Sequence, residues 1–123
     1  MFNTVGVVAR PDRKGALRLG AQLLEHLEGR GLRAYLEPKL AEHAGRPDLA
    51  LPLEEMRVDL IATIGGDGTI LRTCLMIPKP EPPILAINMG VRGFLTEVAP
   101  REALKAVDRC LEGRFVLERC TKL

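Results

Sequence analysis

The chain has 123 residues, 46% of them apolar, which suits one folded domain with its own core and excludes a disordered or fibrous segment. A formal net charge of +2, 3% aromatic residues and no Trp supply neither the basic surface nor the stacking rings of a nucleic-acid binder, so that class is set aside. Cys74, Cys110 and Cys120 lack CxxC spacing, which argues against a disulfide framework or a zinc site; Cys74 and Cys110 fall on predicted helices and read as buried reduced thiols. Met1-Phe2-Asn3-Thr4 leads straight into a strand without a charged region and a long apolar stretch, and no run is long enough to span a bilayer. The expectation is a cytoplasmic protein with no membrane partner.

Thr4 to Ala9 is a β-branched run and the first predicted strand. Arg10-Pro11-Asp12-Arg13-Lys14 follows as a polar turn, then Gly15 to Glu28 as a helix. Its packing face joins Ala16, Gly20, Leu23 and Leu27 to Leu17, Ala21 and Leu24, and Gly29 and Gly31 stop it. Leu32 to Leu36 reads as a second strand at an edge. Glu37 to Pro52 carries Pro38, Gly45, Pro47 and Pro52 and reads as a long connection with at most a short helical turn. Leu53 to Arg57 suggests a brief helix before a third strand, Asp59 to Ile64. His26 and His43 have no partners at metal-ligand spacing and read as surface residues.

Gly65-Gly66-Asp67-Gly68-Thr69 then joins that buried strand to a helix running to about Ile77, whose packing face is predicted as Ile70, Leu71, Cys74 and Leu75. The first amides of a helix lack internal partners and lie at the positive end of its dipole, so phosphate oxygens bind there. Glycines allow close backbone approach and positive φ angles. An anionic Asp67 in such a cradle has three readings: a base that takes a proton from an attacking hydroxyl, a ligand for Mg²⁺, or a simple helix cap. Arg72, one turn beyond Gly68, either reaches back toward a ligand or faces solvent. Arg10, Arg13 and Lys14 follow the first strand, on the edge where open α/β sheets bind ligands, and read either as phosphate contacts or as ordinary turn residues.

The stiff loop Pro78-Lys79-Pro80-Glu81-Pro82-Pro83 precedes a fourth strand, Ile84 to Ile87, which runs into a second glycine-rich turn from Asn88 to Leu95. Asn88 either bonds a ligand or closes an Asx-turn, and Phe94 either stacks on a flat ring or enters the core. Pro100 starts a further helix with Ala103, Leu104, Val107, Cys110 and Leu111 on its packing face and Gly113 at its end; Phe115 to Arg119 reads as a fifth strand. Strands alternating with helices predict an α/β fold: an open, mainly parallel, Rossmann-like sheet with helices on both faces. Both glycine-rich turns then share one carboxyl edge.

Gly65-Gly66-Asp67-Gly68-Thr69, followed after one strand by Asn88-Met89-Gly90-Val91-Arg92-Gly93-Phe94-Leu95-Thr96-Glu97, resembles the NAD kinase family, specifically its amino-terminal α/β domain. The GGDG turn alone also resembles those of phosphofructokinases and of diacylglycerol and sphingosine kinases, so a lipid or sugar kinase is the alternative; the second block narrows the match. The resemblance implies transfer of the γ-phosphoryl group of ATP, or of polyphosphate, to the 2′-hydroxyl of the adenosine ribose of NAD, giving NADP, with Mg²⁺ or another divalent cation. It implies Asp67 as the catalytic base. It implies Asp67, Gly68, Arg72, Asn88 and Phe94 as NAD-binding residues, with Gly65, Gly66, Thr69, Arg10, Arg13 and Lys14 beside phosphate or ATP. No metal ligand is assigned, and the complete enzyme is expected to be a homo-oligomer.

By the same resemblance residues 1–114 form the α/β domain, and 115–123 begin a second, mostly β domain that is otherwise absent, along with the Asn-Glu or Asn-Asp pair that the family places there. Arg92 stands where many members carry an apolar residue. A catalytically incomplete nucleotide-binding or assembly module is therefore the competing expectation.

Overall fold

Four short runs of Val, Ile, Leu, Ala and Thr become strands: Thr4–Ala9 (β1), Arg33–Leu36 (β2), Leu60–Gly65 (β3) and Ile84–Asn88 (β4). The computed structural model describes residues 2–89 and 98–113. The strands pair in parallel in the order β2-β1-β3-β4. β3 and β4 are buried along their whole length, as expected of parallel strands covered on both faces, whereas β2 alternates and lies at the edge. Val5 stands opposite Leu60 and Ala9 opposite Ile64; on the other side Ile61 stands opposite Ile84 and Gly65 opposite Asn88.

Parallel strands need crossovers, and Lys14–Gly29 (α1) and Asp67–Met76 (α3) supply two of them. Pro38–Ala44 (α2) and Ala103–Leu111 (α4) complete the α-helices among the described residues. The strand period of two sorts the core into two layers. Val7, Ala9, Ala62, Ile64, Leu85 and Ile87 share one cluster with Ala16, Leu23 and Leu27 of α1, Leu40 of α2 and Val107 and Cys110 of α4. Val8, Ile61 and Ile84 share another with Leu53, Met56 and Ile77, on the side where α3 packs on β3. Each fully buried Leu or Ile contributes about 1.5–3 kcal/mol. The open parallel sheet with helices on both faces is thus the fold expected from the sequence.

Four local expectations are corrected. The stretch after Glu37 holds a two-turn helix, because Pro38 occupies a first-turn position where its missing N–H costs nothing and Gly45, at φ +70°, stops the helix in the left-handed region. Leu40 and Ala41 bury its inner face. On α3 the buried positions are Thr69 and Thr73, while Leu71 and Leu75 are 60% and 65% exposed. The Thr73 hydroxyl donates to the Thr69 carbonyl at 2.8 Å, which lets a polar residue line a buried helix face. On α4, Ala106 is buried where Leu104 was expected. Cys110 is a free buried thiol whose pKa burial pushes up to about 11, whereas Cys74 is disulfide-bonded and not the reduced thiol expected. The proposed strand from Phe115 to Arg119 lies outside the described residues.

Chain entry is fixed by Asp59, whose Oδ2 accepts from the backbone N–H of Asn3 at 2.7 Å and of Thr4 at 3.0 Å. The Asp59 N–H donates in return to the carbonyl and hydroxyl of Thr4. These backbone donors hold the Asp59 carboxyl below the ordinary range. A carboxylate with a lowered folded-state pKa contributes stability above its unfolded value and loses it as pH falls through the folded one. Asp59→Asn should therefore cost about 1 kcal/mol at pH 7. It should also flatten the acid limb of stability below about pH 4. Urea unfolding from pH 3 to pH 7 measures both effects; an unchanged acid limb would refute the assignment.

Candidate functional site

The crossover from β1 leads outward to β2 on one side, and that from β3 leads to β4 on the other. The gap above the carboxyl ends of β1 and β3 is therefore a topological switch point, the place where open α/β sheets bind ligands. Three turns meet there. Arg10 N–H donates to the Ile64 carbonyl at 2.9 Å, Met89 N–H to the Gly65 carbonyl at 2.8 Å, and Arg13 Nη1 to the Met89 carbonyl at 2.9 Å. The turn after β1 is thus tied both to the end of β3 and to the residue after β4.

Gly66 precedes α3 in an extended conformation and Asp67 is the first residue of the helix. The glycines of this turn were expected to supply positive φ, but among the described residues only Gly31, Gly45 and Gly113 have it. Space is the reason instead. A Cβ on Gly65 would collide with the Oγ1 and Cβ of Thr69, which folds back over the strand end, while Cβ atoms on Gly66 and Gly68 would meet nothing within 4 Å. Gly65 permits the tight descent of α3 onto β3, and Gly66 and Gly68 leave the helix start open.

Asp67 is exposed and no side-chain cap bond forms at this helix start, so the cap reading does not describe it. Its charge still lies favourably at the positive end of α3. The carboxylate overlooks two adjoining clefts. One, of about 190 Å³, is lined by Arg10, Arg13, Gly65, Gly66, Asp67, Asn88 and Met89. The other, of about 340 Å³, is lined by Arg10, Pro11, Gly66, Asp67, Gly68, Thr69 and Arg72. A third hollow of about 240 Å³ continues past Arg72 to Glu37, Pro38 and Lys39. Together they form a trough along the carboxyl edge.

The arginines of the trough are already oriented. Arg10 reaches Asp12 through Nε at 2.7 Å and Nη2 at 3.1 Å, which raises the guanidinium pKa and holds the Asp12 carboxyl below its ordinary range. Arg72 donates from Nη1 and Nη2 to the two carboxylate oxygens of Glu37, each at 2.8 Å, and this hydrogen bonding raises its pKa further. The edge thus gathers Arg10, Arg13, Gly65, Gly66, Asp67, Gly68, Thr69, Arg72 and Asn88. Thr69 turns its side chain inward and is buried, and Asn88 is buried at the end of β4. Lys14 is exposed at the start of α1 and lines none of these three hollows. Phe94 and Arg92 lie outside the described residues. Sequence reasoning missed Glu37, although its place after a strand and before a helix-starting proline marks it as a carboxyl-edge residue.

A family model described as the ATP-NAD kinase N-terminal domain matches residues 5–115. The chain belongs to the ATP-NAD kinase family. It is 45% identical over 121 residues to an NAD kinase of Pyrococcus abyssi and 44% identical over 120 residues to one of Thermococcus kodakarensis. In both cases the match takes in 96% of this chain and 43% of the relative, so the chain spans less than half the length of these relatives. Among solved structures, yeast NADH kinase complexed with NADH superposes with a TM-score of 0.76 at 25% identity, over 92% of this chain and 39% of that one. An NAD kinase from Archaeoglobus fulgidus in complex with ATP gives 0.60 at 26% identity, over 89% of this chain and 37% of that one. Family membership decides against the lipid and sugar kinases that share the GGDG turn.

The close packing at Gly65 generates a test. Gly65→Ala should push Thr69 and the start of α3 away from β3, at a cost of about 1–3 kcal/mol. Gly65→Ala combined with Thr69→Ala should recover part of that loss by removing the Oγ1 contact. Urea midpoints compare the variants, and a single variant as stable as the parent would show that the turn tolerates a Cβ.

Proposed function

We propose that this chain carries the nucleotide-binding and general-base half of an NAD kinase, which transfers the γ-phosphoryl group of ATP or polyphosphate to the 2′-hydroxyl of the adenosine ribose of NAD, giving NADP. The observation that carries the reading is Asp67: a carboxylate free of a capping role, at the start of α3, facing two clefts lined also by Arg10. The relatives named above support the choice of substrates, and the location of the clefts at the switch point supports the choice of site.

In this reading Asp67 accepts the proton of the 2′-hydroxyl as its oxygen attacks the terminal phosphorus, and the bond from that phosphorus to the leaving ADP, or to the shortened polyphosphate, breaks. An aspartate carboxylate is a weak base near neutrality, so most of the rate must come from alignment of hydroxyl and phosphate. Gly66 presents backbone at the helix start with Gly65 and Thr69 buried beneath it, and Arg10 and Arg13 supply donors to phosphate oxygens. Gly68 and Arg72 in the larger cleft and Asn88 in the smaller one contact NAD, with Phe94 joining them on the strength of the motif. Among the described residues no three His, Cys, Asp or Glu side chains gather as a metal cage. The donor set fits a Mg²⁺ ion carried mainly by nucleotide phosphates and water, with Asp67 the carboxylate at hand; when bound, it neutralises phosphate charge. We further propose a cytoplasmic homo-oligomer for the complete enzyme, and residues 1–114 as the α/β unit with 115–123 opening a second domain.

The chain spans 43% of the length of the curated relatives. The competing reading is a module that binds nucleotide without turnover of its own. One assay separates the two. NADP formation by the 123-residue chain with NAD, ATP and Mg²⁺, followed by enzymatic cycling, should fall by at least about 10²-fold in Asp67→Asn while urea unfolding stays unchanged. Near-normal turnover in that variant would sink the general-base assignment. NAD binding with no detectable NADP would establish the binding-module reading.

A further inference from the structure

We infer that Glu37 is a positioning residue for Arg72, holding the guanidinium at the mouth of the Asp67–Gly68 cleft so that an anionic dinucleotide meets it already oriented; the inference rests on the dinucleotide-binding reading above. Arg72 is joined to Glu37 by two parallel hydrogen bonds of 2.8 Å, the fork-to-fork geometry that suits guanidinium and carboxylate. The two bonds use one N–H from each terminal nitrogen, so three of the five donors of a guanidinium stay available to a ligand. The Arg72 side chain is 38% exposed and lines the cleft, while that of Glu37 is 15% exposed behind it. The carboxylate is the support and the arginine is the contact.

Glu37 is a firm support because both ends of its backbone are committed. Its N–H faces the Val7 carbonyl of β1, its carbonyl accepts the Ala41 N–H that opens α2, and Pro38 fixes the next φ. The bridge therefore runs from the corner between β2 and α2 across to α3, two elements on opposite sides of the switch point. An arginine on an exposed helix face samples many rotamers, and ordering it on binding weakens affinity. With Glu37 in place that ordering is complete before the ligand arrives. The charge of the pair cancels, so its value to a phosphate lies in directed N–H groups rather than in net field.

The experiment is a double-mutant cycle on NAD affinity by calorimetry with the 123-residue chain: parent, Glu37→Gln, Arg72→Ala and the double variant. Glu37→Gln should weaken NAD binding by about three- to tenfold, as expected for releasing one long side chain. In the Arg72→Ala background the same change should have no further effect. A purely structural role for Glu37 would instead give losses that add. Arginine side-chain ¹⁵N NMR gives a readout without ligand: hindered rotation of the Arg72 guanidinium in the parent, free rotation in Glu37→Gln. Glu37→Asp, one methylene shorter, should bind between the two and serves if Glu37→Gln fails to fold. NAD affinity unchanged by Glu37→Gln, additive losses, or a freely rotating Arg72 in the parent would overturn the inference alone. No NAD binding by the parent chain would overturn the dinucleotide reading and this inference with it.

Discussion

The in-register parallel pairing of β1 and β3 determines where the trough can be. Because Ala9 stands opposite Ile64, Arg10, the first residue after β1, and Gly65, the last residue of β3, come side by side at one edge. The crossovers then diverge, one to β2 and one to β4, and leave the space above that edge uncovered by either helix. A slip of one residue would invert the faces of β3, burying Ile61 and Thr63 where Ala62 and Ile64 now pack, and would carry the glycine turn away from Arg10. The hydrophobic layers therefore hold the register, and the register holds the site.

Charge at the edge is nearly balanced. Arg10, Arg13, Arg72 and Lys39 line the trough with Glu37 and Asp67, and Asp12 pairs with Arg10 beside it, four cations against three carboxylates, so the trough has only a small net field. Two of the arginines spend part of their donor capacity on carboxylates, and Arg13 spends one N–H on the Met89 carbonyl. Attraction for a polyanion must then come from directed donors and from the open amides at the start of α3, whose effect is confined to the first turn. This arrangement selects by geometry more than by charge.

Much of this was legible in the sequence because the chain obeys its local rules. Within the described residues the first four β-branched or aliphatic runs became strands within a residue or two, and the glycine turn fell between β3 and α3 as the change of period indicated. The failures have physical causes. Pro38 and Gly45 were read as breakers when they were a start and a stop seven residues apart, and the two signals differ only in which side of the helix they take. Leu71 and Leu75 were placed inward because hydrophobicity was the only guide, yet the tight approach at Gly65 turns Thr69 and Thr73 to the sheet instead. The role of Glu37 was invisible because its partner lies 35 residues away, on an element whose rotation depends on that same packing.

Stability and site chemistry draw on different residues in this fold. The core is built from the middles of strands and the inner faces of α1, α2 and α4, whereas Arg10, Asp67, Gly68 and Arg72 sit on turns or outer helix positions that contribute little burial. Gly65 and Asn88 are the exceptions, buried strand ends that belong to both. Changes at Asp67 or Arg72 therefore act on the candidate site and leave the sheet intact, but changes at Gly65 act on the fold first and on the candidate site through it. The last residues of β3 and β4 are where the two demands meet, because there one peptide must close a parallel ladder on one side and open a ligand surface on the other.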